Sequence, residues 1–193
     1  PAGERLIAQA PAWLGLLDEM TADLRDAQRG LSGTIRVSAA VTHGELVVAP
    51  LLRRFRADHP DLVIDLRLSD RFVDLVADGV DLALRIGHLE ASSLIARKLG
   101  TMSLLAVASP GYLDRHDHPE TPGDLADHLC ICDTNMRGDG SWPLRDGKQE
   151  HRVRVAGGFQ VNNARIARDL AVKDEGIALC PDYVVRDDLA EGR

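Results

Sequence analysis

From Thr34 onward, apolar residues switch repeatedly between strand spacing and helix spacing, and this alternation constrains the fold more than any other feature of the chain. Thr34–Ala40 (TIRVSAA) reads as a strand. Gly44–His59 reads as a helix carrying Leu46, Val47, Leu51, Leu52 and Phe55, and Pro60 stops it. Leu62–Ser69 alternates as a strand does, Phe72–Asp78 is a short helix, and Asp81–Ile86 is a third strand. Strand, helix, strand, helix, strand predicts an α/β unit built on a parallel sheet.

A second unit follows in the same style. Leu94–Leu99 and Met102–Ala108 are predicted strands around Gly100. Ser109–Leu113 opens a short helix, with Pro110 at a first-turn position, and Thr121–Leu125 opens another. Leu129–Asp133, Trp142–Arg145, Arg152–Ala156 and Phe159–Val161 are strand candidates, with a turn at Arg137–Gly140. Asn162-Asn163 stands where an N-cap belongs before a helix at Ala164–Lys173. Gly176–Cys180 is a buried strand halted by Pro181, and Tyr183–Ala190 is a closing helix.

Residues 1–31 follow another rule. Leu6, Ala10, Trp13, Leu17, Met20, Leu24, Ala27 and Leu31 recur at alternating steps of four and three. A seam this narrow suits a helix lying along a partner helix, whereas a helix folded onto its own domain needs a broader stripe. Pro11 removes one helical hydrogen bond, so the helix bends or begins there.

Composition narrows the function. The 193 residues carry 23 basic and 30 acidic side chains, a net of -7, with the signs interspersed. A chain that grips phosphate backbones by itself carries a basic surplus, so these residues are not expected to contact nucleic acid. No apolar run approaches the ~18 residues of a membrane span. Pro1–Arg5 lacks the apolar core of a secretory signal, which points to the cytoplasm or to a chain cut free of whatever preceded it. Cys130, Cys132 and Cys180 are too few and too close for a zinc clasp and read as packed thiols. Cys130 and Cys132 lie two apart on a strand and so face one side. No phosphate-binding loop, dinucleotide fingerprint, zinc-protease helix or nucleophile elbow occurs. His116-Asp117-His118 reads as a solvated turn. No catalytic residue, metal site or cofactor is expected.

Binding is what remains. In open α/β sheets, ligands sit beyond the carboxyl ends of the strands. Four such ends carry small or polar residues: Ala39–Gly44, Ser69–Arg71, Arg85–Gly87 and Val161–Asn163. Helix N-termini there offer N–H groups to an anion, and Arg71 offers a two-pronged hold on a carboxylate. Thr42, Ser69, Asp70, Asn162 and Asn163 read equally well as helix caps, and Arg85 as a strand-edge charge exposed to water.

The chain resembles the LysR-type transcriptional regulators, in their linker helix and effector-binding domain. The stretches that carry the likeness are 33–67 (GTIRVSAAVTHGELVVAPLLRRFRADHPDLVIDLR), 69–88 (SDRFVDLVADGVDLALRIGH), 94–101 (LIARKLGT), 106–114 (AVASPGYLD) and 158–185 (GFQVNNARIARDLAVKDEGIALCPDYVV). The resemblance implies an α/β, type 2 periplasmic-binding-protein-like fold of two subdomains with an inducer cleft between them. A linker and dimerisation helix at 1–31 would precede an effector-binding domain at 32–193. Subdomain I would span about 32–104 plus 183–193, and subdomain II about 105–182. By position, effector contacts fall on Ala39, Ala40, Val41, Thr42, Arg71, Ile86, Gly87, Thr134, Val161, Asn162 and Pro181. The family's dimerising helix falls on Leu6, Ala10, Trp13, Leu17, Met20 and Leu24. The resemblance implies a homodimer or homotetramer and a small-molecule effector, with DNA bound through an N-terminal winged helix-turn-helix domain lying outside these residues. Pro11 and the charged turn Lys173-Asp174-Glu175 depart from the family pattern, which also places a further strand and helix after Arg193. A transport solute-binding protein of the same fold is the alternative, predicting a monomer with a leader or anchor.

Overall fold

The computed structural model describes residues 31–71, 78–87, 95–136 and 140–193. The heptad residues Leu6 to Leu24, all but the last residue of the helix expected at Phe72–Asp78 and most of the expected Arg137–Gly140 turn lie outside the described residues. The chain divides into two compact units. The first takes in the described residues up to Ala40 and Val47–Arg85; the second takes in Val41–Leu46 and Ile86–Arg193.

In the first unit, β1 (Gly33–Ala39), β2 (Leu62–Leu68) and β3 (Leu82–Leu84) form a parallel sheet in the order β2-β1-β3. The register pairs Gly33 with Leu62 and Ala39 with Leu68, so the carboxyl ends of β1 and β2 are level. The connection after β1 is helical from Val41 to Ala57, in three pieces: α1 (Val41–His43), a π-helical stretch (Gly44–Val48) and α2 (Ala49–Ala57). Pro50 sits in the first turn of α2, where its missing N–H costs little. Val48 packs on Val37 and Ala39 of the central strand, with Ile35, Leu52, Ile64, Leu66 and Leu84 around them. The helical stretch therefore starts earlier than the apolar pattern alone indicates.

The second unit holds a four-stranded sheet of β4 (Leu104–Val107), β5 (Leu129–Asp133), β8 (Ala156–Val161) and β9 (Ile177–Pro181), in the order β4-β9-β5-β8. β5, β8 and β9 run parallel and β4 runs against β9. A separate hairpin pairs β6 (Ser141–Asp146) with β7 (Gln149–Arg154). Alternation along the strands divides the core into two faces. Cys130, Ile177 and Leu179 meet Tyr112, Leu125, Trp142 and Val153 on one side. Ile131, Ala178 and Cys180 meet Ala164, Ala167, Ala171, Val184 and Val185 on the other. Cys132 packs against the same cluster as Cys130, as their spacing requires. Coverage of both faces explains why β9 reads as a continuous apolar run.

Helix α3 (Pro110–Leu113) is capped by Ser109, whose hydroxyl accepts from the Tyr112 N–H, and Pro122–Asp127 is a 3-10 helix. Helix α4 (Ala164–Val172) lays Ala164, Ala167 and Ala171 on the sheet, and α5 (Asp182–Glu191) buries Val184 and Val185 beside them. The stretch 183–193, expected from the sequence to return to the first subdomain, packs with the second unit through those two valines. The segment 95–99, expected as a strand, is not one, and Ile95 and Leu99 are exposed. Its apolar residues resemble a strand locally, but no ladder among the described residues takes up its backbone. No helix among the described residues is long and apolar enough to cross a membrane.

Candidate ligand-binding site

The first unit collects its polar groups at one edge. All three strands are parallel, so β1, β2 and β3 end together. The chain leaves β1 for a neighbour on one side and later returns as β3 on the other, which makes the β1/β3 boundary the topological switch point of this sheet. Ala39 is fully buried at the end of β1, and its carbonyl accepts from the Ser69 N–H at 2.9 Å. Ser69 turns the chain after β2, its hydroxyl accepting from the Arg71 N–H at 3.2 Å. Arg71 itself is exposed.

Arg85 follows β3 directly and is part-buried. Its Nη1 donates to the Ser69 carbonyl at 2.7 Å and its Nη2 to the Ser38 hydroxyl at 2.9 Å. Ser38 is only 2% exposed. One guanidinium thus ties together the carboxyl ends of all three strands. Burial pulls its pKa below the usual arginine value, while the charge of Asp70 works the other way. Ile86 and Gly87 come next, Ile86 exposed and Gly87 with a φ of +123°, a conformation open to glycine.

The second unit has its own rim, because β9, β5 and β8 are parallel and end on one edge. Just past β5, the Thr134 N–H and Oγ1 both donate to the Val161 carbonyl at the end of β8, at 2.7 and 3.1 Å. The Asn135 amide donates to the Asn162 carbonyl, and the Asn135 N–H donates to Asp133 Oδ1 at 2.9 Å. Asn163 caps α4, its Oδ1 accepting from the Arg165 and Ile166 N–H groups at 2.9 and 3.2 Å. Pro181 ends β9, and the next helix brings Tyr183 edge-on to the His43 ring, with centroids 5.4 Å apart. Glu45 reaches Arg165 at 3.6 Å. Both contacts lie within the second unit, to which Val41–Leu46, including buried Thr42, belongs. The His43 Nδ1 is buried without a hydrogen-bond partner among the described residues, and burial lowers the pKa of the ring.

Of the residues singled out from sequence, Ala39 and Arg71 belong to the first rim. Thr134, Val161, Asn162 and Pro181 belong to the second, and Val41 and Thr42 are grouped with the second unit. Ala40 is the link between β1 and α1, and Ile86 and Gly87 lead out of the first unit. Two residues of the rims were missed. Asn135 carries no pattern of its own, and Ser38 is hidden among apolar strand residues. Arg85 stands in the sequence both at a strand end suited to binding and as a strand-edge charge, with nothing to decide between the two. A charged residue closing an otherwise apolar strand beside a buried serine is the signal that finds the last two together. Burial pushes the Cys130 and Cys180 thiols up to about 12 and raises Cys132, so none is set up as a thiolate nucleophile.

A parallel sheet with a switch-point rim, followed by a mixed sheet with a parallel-edge rim, defines the class: the type 2 periplasmic-binding-protein-like fold. Residues 28–193 match the LysR substrate binding domain, and the chain belongs to that family. It is 34% identical over 169 residues to an uncharacterized HTH-type transcriptional regulator of Haemophilus influenzae, a match covering 88% of this chain and 59% of the relative. It is 33% identical over 191 residues to the HTH-type transcriptional regulator DmlR of Escherichia coli, covering 98% and 62%. The full-length structure of the Vibrio cholerae virulence activator AphB superposes with a TM-score of 0.79 at 31% identity, over 100% of this chain and 65% of that one. The chain spans about six tenths of the length of these curated relatives.

Proposed function

We propose that this chain is the effector-sensing part of a LysR-type DNA-binding transcriptional regulator. The observation that carries the reading is a match to the LysR substrate binding domain over 28–193, in a chain whose sheets end in hydrogen-bonded polar rims. A small metabolite contacts Ala39, Ala40, Val41, Thr42, Arg71, Ile86, Gly87, Thr134, Val161, Asn162 and Pro181. It acts by binding one arrangement of the protein better than another, since only differential affinity biases an equilibrium. A coupling of about 1–3 kcal/mol suffices.

Leu6, Ala10, Trp13, Leu17, Met20 and Leu24 form the seam through which two or four copies assemble. DNA contact belongs to a winged helix-turn-helix segment ahead of Pro1, which agrees with the acidic balance of these residues, and the protein works in the cytoplasm. The relatives are named as transcriptional regulators, which favours this reading over a transport protein of the same fold.

The test is thermal-shift screening of the chain against a metabolite library, with calorimetry on any hit and on Thr134→Val. A saturable rise in the unfolding midpoint, weakened in the variant, is expected. A chain that no metabolite stabilises, and that sediments as a monomer when joined to its upstream coding region, would overturn the proposal.

A further inference from the structure

The rim of the first unit contains a cation that keeps donors to spare after tying the strand ends together. The Arg85 guanidinium carries five N–H donors in a rigid fork. Among the described residues two are hydrogen-bonded, both to uncharged oxygens, the Ser69 carbonyl and the Ser38 hydroxyl. Among the described residues, no carboxylate lies within ion-pair distance of it. Withdrawing a cation from water without an opposite charge in contact is costly, and a bound anion offsets that cost. The fork is also held still from both sides, because Ser38 is buried and Ser69 is fixed by its hydrogen bond to Ala39. Its position matters as much as its charge. It spans the β1/β3 boundary, the switch point at which ligands of open α/β sheets bind.

We propose that Arg85 is the specificity-determining residue of the effector site, and that through its unoccupied donors it takes a carboxylate of the effector. This rests on the reading of the chain as a small-molecule sensor, and deepens it by naming the ligand class and the group that reads it. Arg71, which was given the carboxylate from sequence, is exposed and hydrated and selects less sharply by charge.

The experiment uses the full chain and paired probes: acetate, succinate and benzoate, each against its amide. Affinity is measured by calorimetry for wild type, Arg85→Gln, Arg85→Lys and Ser38→Ala. The readout is the ratio of acid to amide affinity. A purely structural arginine weakens both members of a pair together on substitution, whereas a charge-reading one changes the ratio.

At least one acid should bind wild type tighter than its amide, and Arg85→Gln should lower that ratio tenfold or more, about 1.4 kcal/mol. Arg85→Lys, which keeps the charge but loses the fork, should fall between. Ser38→Ala should weaken the acid less than Arg85→Gln does. An acid bound with the same ratio by wild type and Arg85→Gln overturns the assignment while leaving the sensor reading intact. Amides binding in preference to acids overturn the carboxylate class. Silence from both probe sets and from the metabolite library overturns the sensor reading itself, and this inference with it.

Discussion

Replacing Asp188 with alanine should be among the most damaging single changes in the second unit. Its carboxylate is almost fully buried, with 4% of the side chain exposed, and it holds Arg168 of α4 through both oxygens. Arg193 joins at 3.0 Å, and the Arg168 Nη1 also meets Asp169. The Asp188 and Asp169 hydrogen bonds hold the Arg168 guanidinium well above its ordinary pKa. This cluster is the polar link between α4 and α5, beside the apolar contacts of Val184 and Val185.

Removing one partner of a buried pair costs about 3–5 kcal/mol, because the other charge is left without compensation. Arg168 keeps 24% of its side chain in water and retains Asp169, so the expected loss falls to about 2–3 kcal/mol. For a chain of this size each kcal/mol moves the unfolding midpoint by roughly 2–4 °C, giving a drop of about 4–12 °C. Urea denaturation followed by circular dichroism reads the free energy directly. The double variant Asp188→Leu with Arg168→Met should recover most of the loss, since well-packed apolar groups replace a buried pair at little cost. A single-variant loss under about 0.5 kcal/mol, or a double variant whose loss is the sum of the singles, would refute the reasoning.

Other expectations follow from the same geometry. Gly157 lies opposite Cys130 where β8 carries an extra residue against β5, and a Cβ there would sit 1.5 Å from the Cys130 carbonyl oxygen. Gly157→Ala should therefore leave little folded protein, as judged by soluble yield and near-UV dichroism. Asn163→Ala removes the acceptor for two N–H groups of α4 and should cost about 1 kcal/mol in urea, with Asn163→Asp close to wild type. Hydrogen bonds from the Thr121 backbone and side chain, then from the Glu120 backbone, hold the Asp124 carboxylate below its ordinary pKa. A depressed carboxylate stabilises the fold above its unfolded pKa, and that contribution disappears as pH falls through the folded value. Asp124→Asn should accordingly flatten the acid side of the stability profile, and an unchanged slope below pH 4 would count against it.

The rims show why some site residues are readable in one dimension and others are not. Thr134, Val161 and Asn162 stand just past apolar runs, and local spacing is enough to put them at strand ends. Arg85 stands at a strand end too, yet nothing local distinguishes a hydrated arginine from one whose donors are taken by Ser38 and Ser69, which lie 47 and 16 positions away. Asp174 is a similar case. In the sequence it is one charge in a polar turn; in the fold it adopts a φ of +66°, accepts from the Ser109 hydroxyl and pairs with Arg115 at 3.0 Å. The apolar residues of 95–99 erred in the other direction, since a strand requires a neighbour as well as a pattern.

What the sequence by itself determined is whatever depends on near neighbours along the chain. The two periods of apolar residues separate strands from helices, Asn163 and Ser109 mark where helices start, and the run from 33 to 185 carries the family likeness. What only the tertiary structure decided is whatever depends on strand order and on which groups lose water. It placed β3 beside β1 rather than β2, sent α5 to the second unit, and brought the Arg85 cation onto two serines. Burial and hydrogen bonding set the energy of a polar group, and both are properties of the packed chain rather than of its spacing.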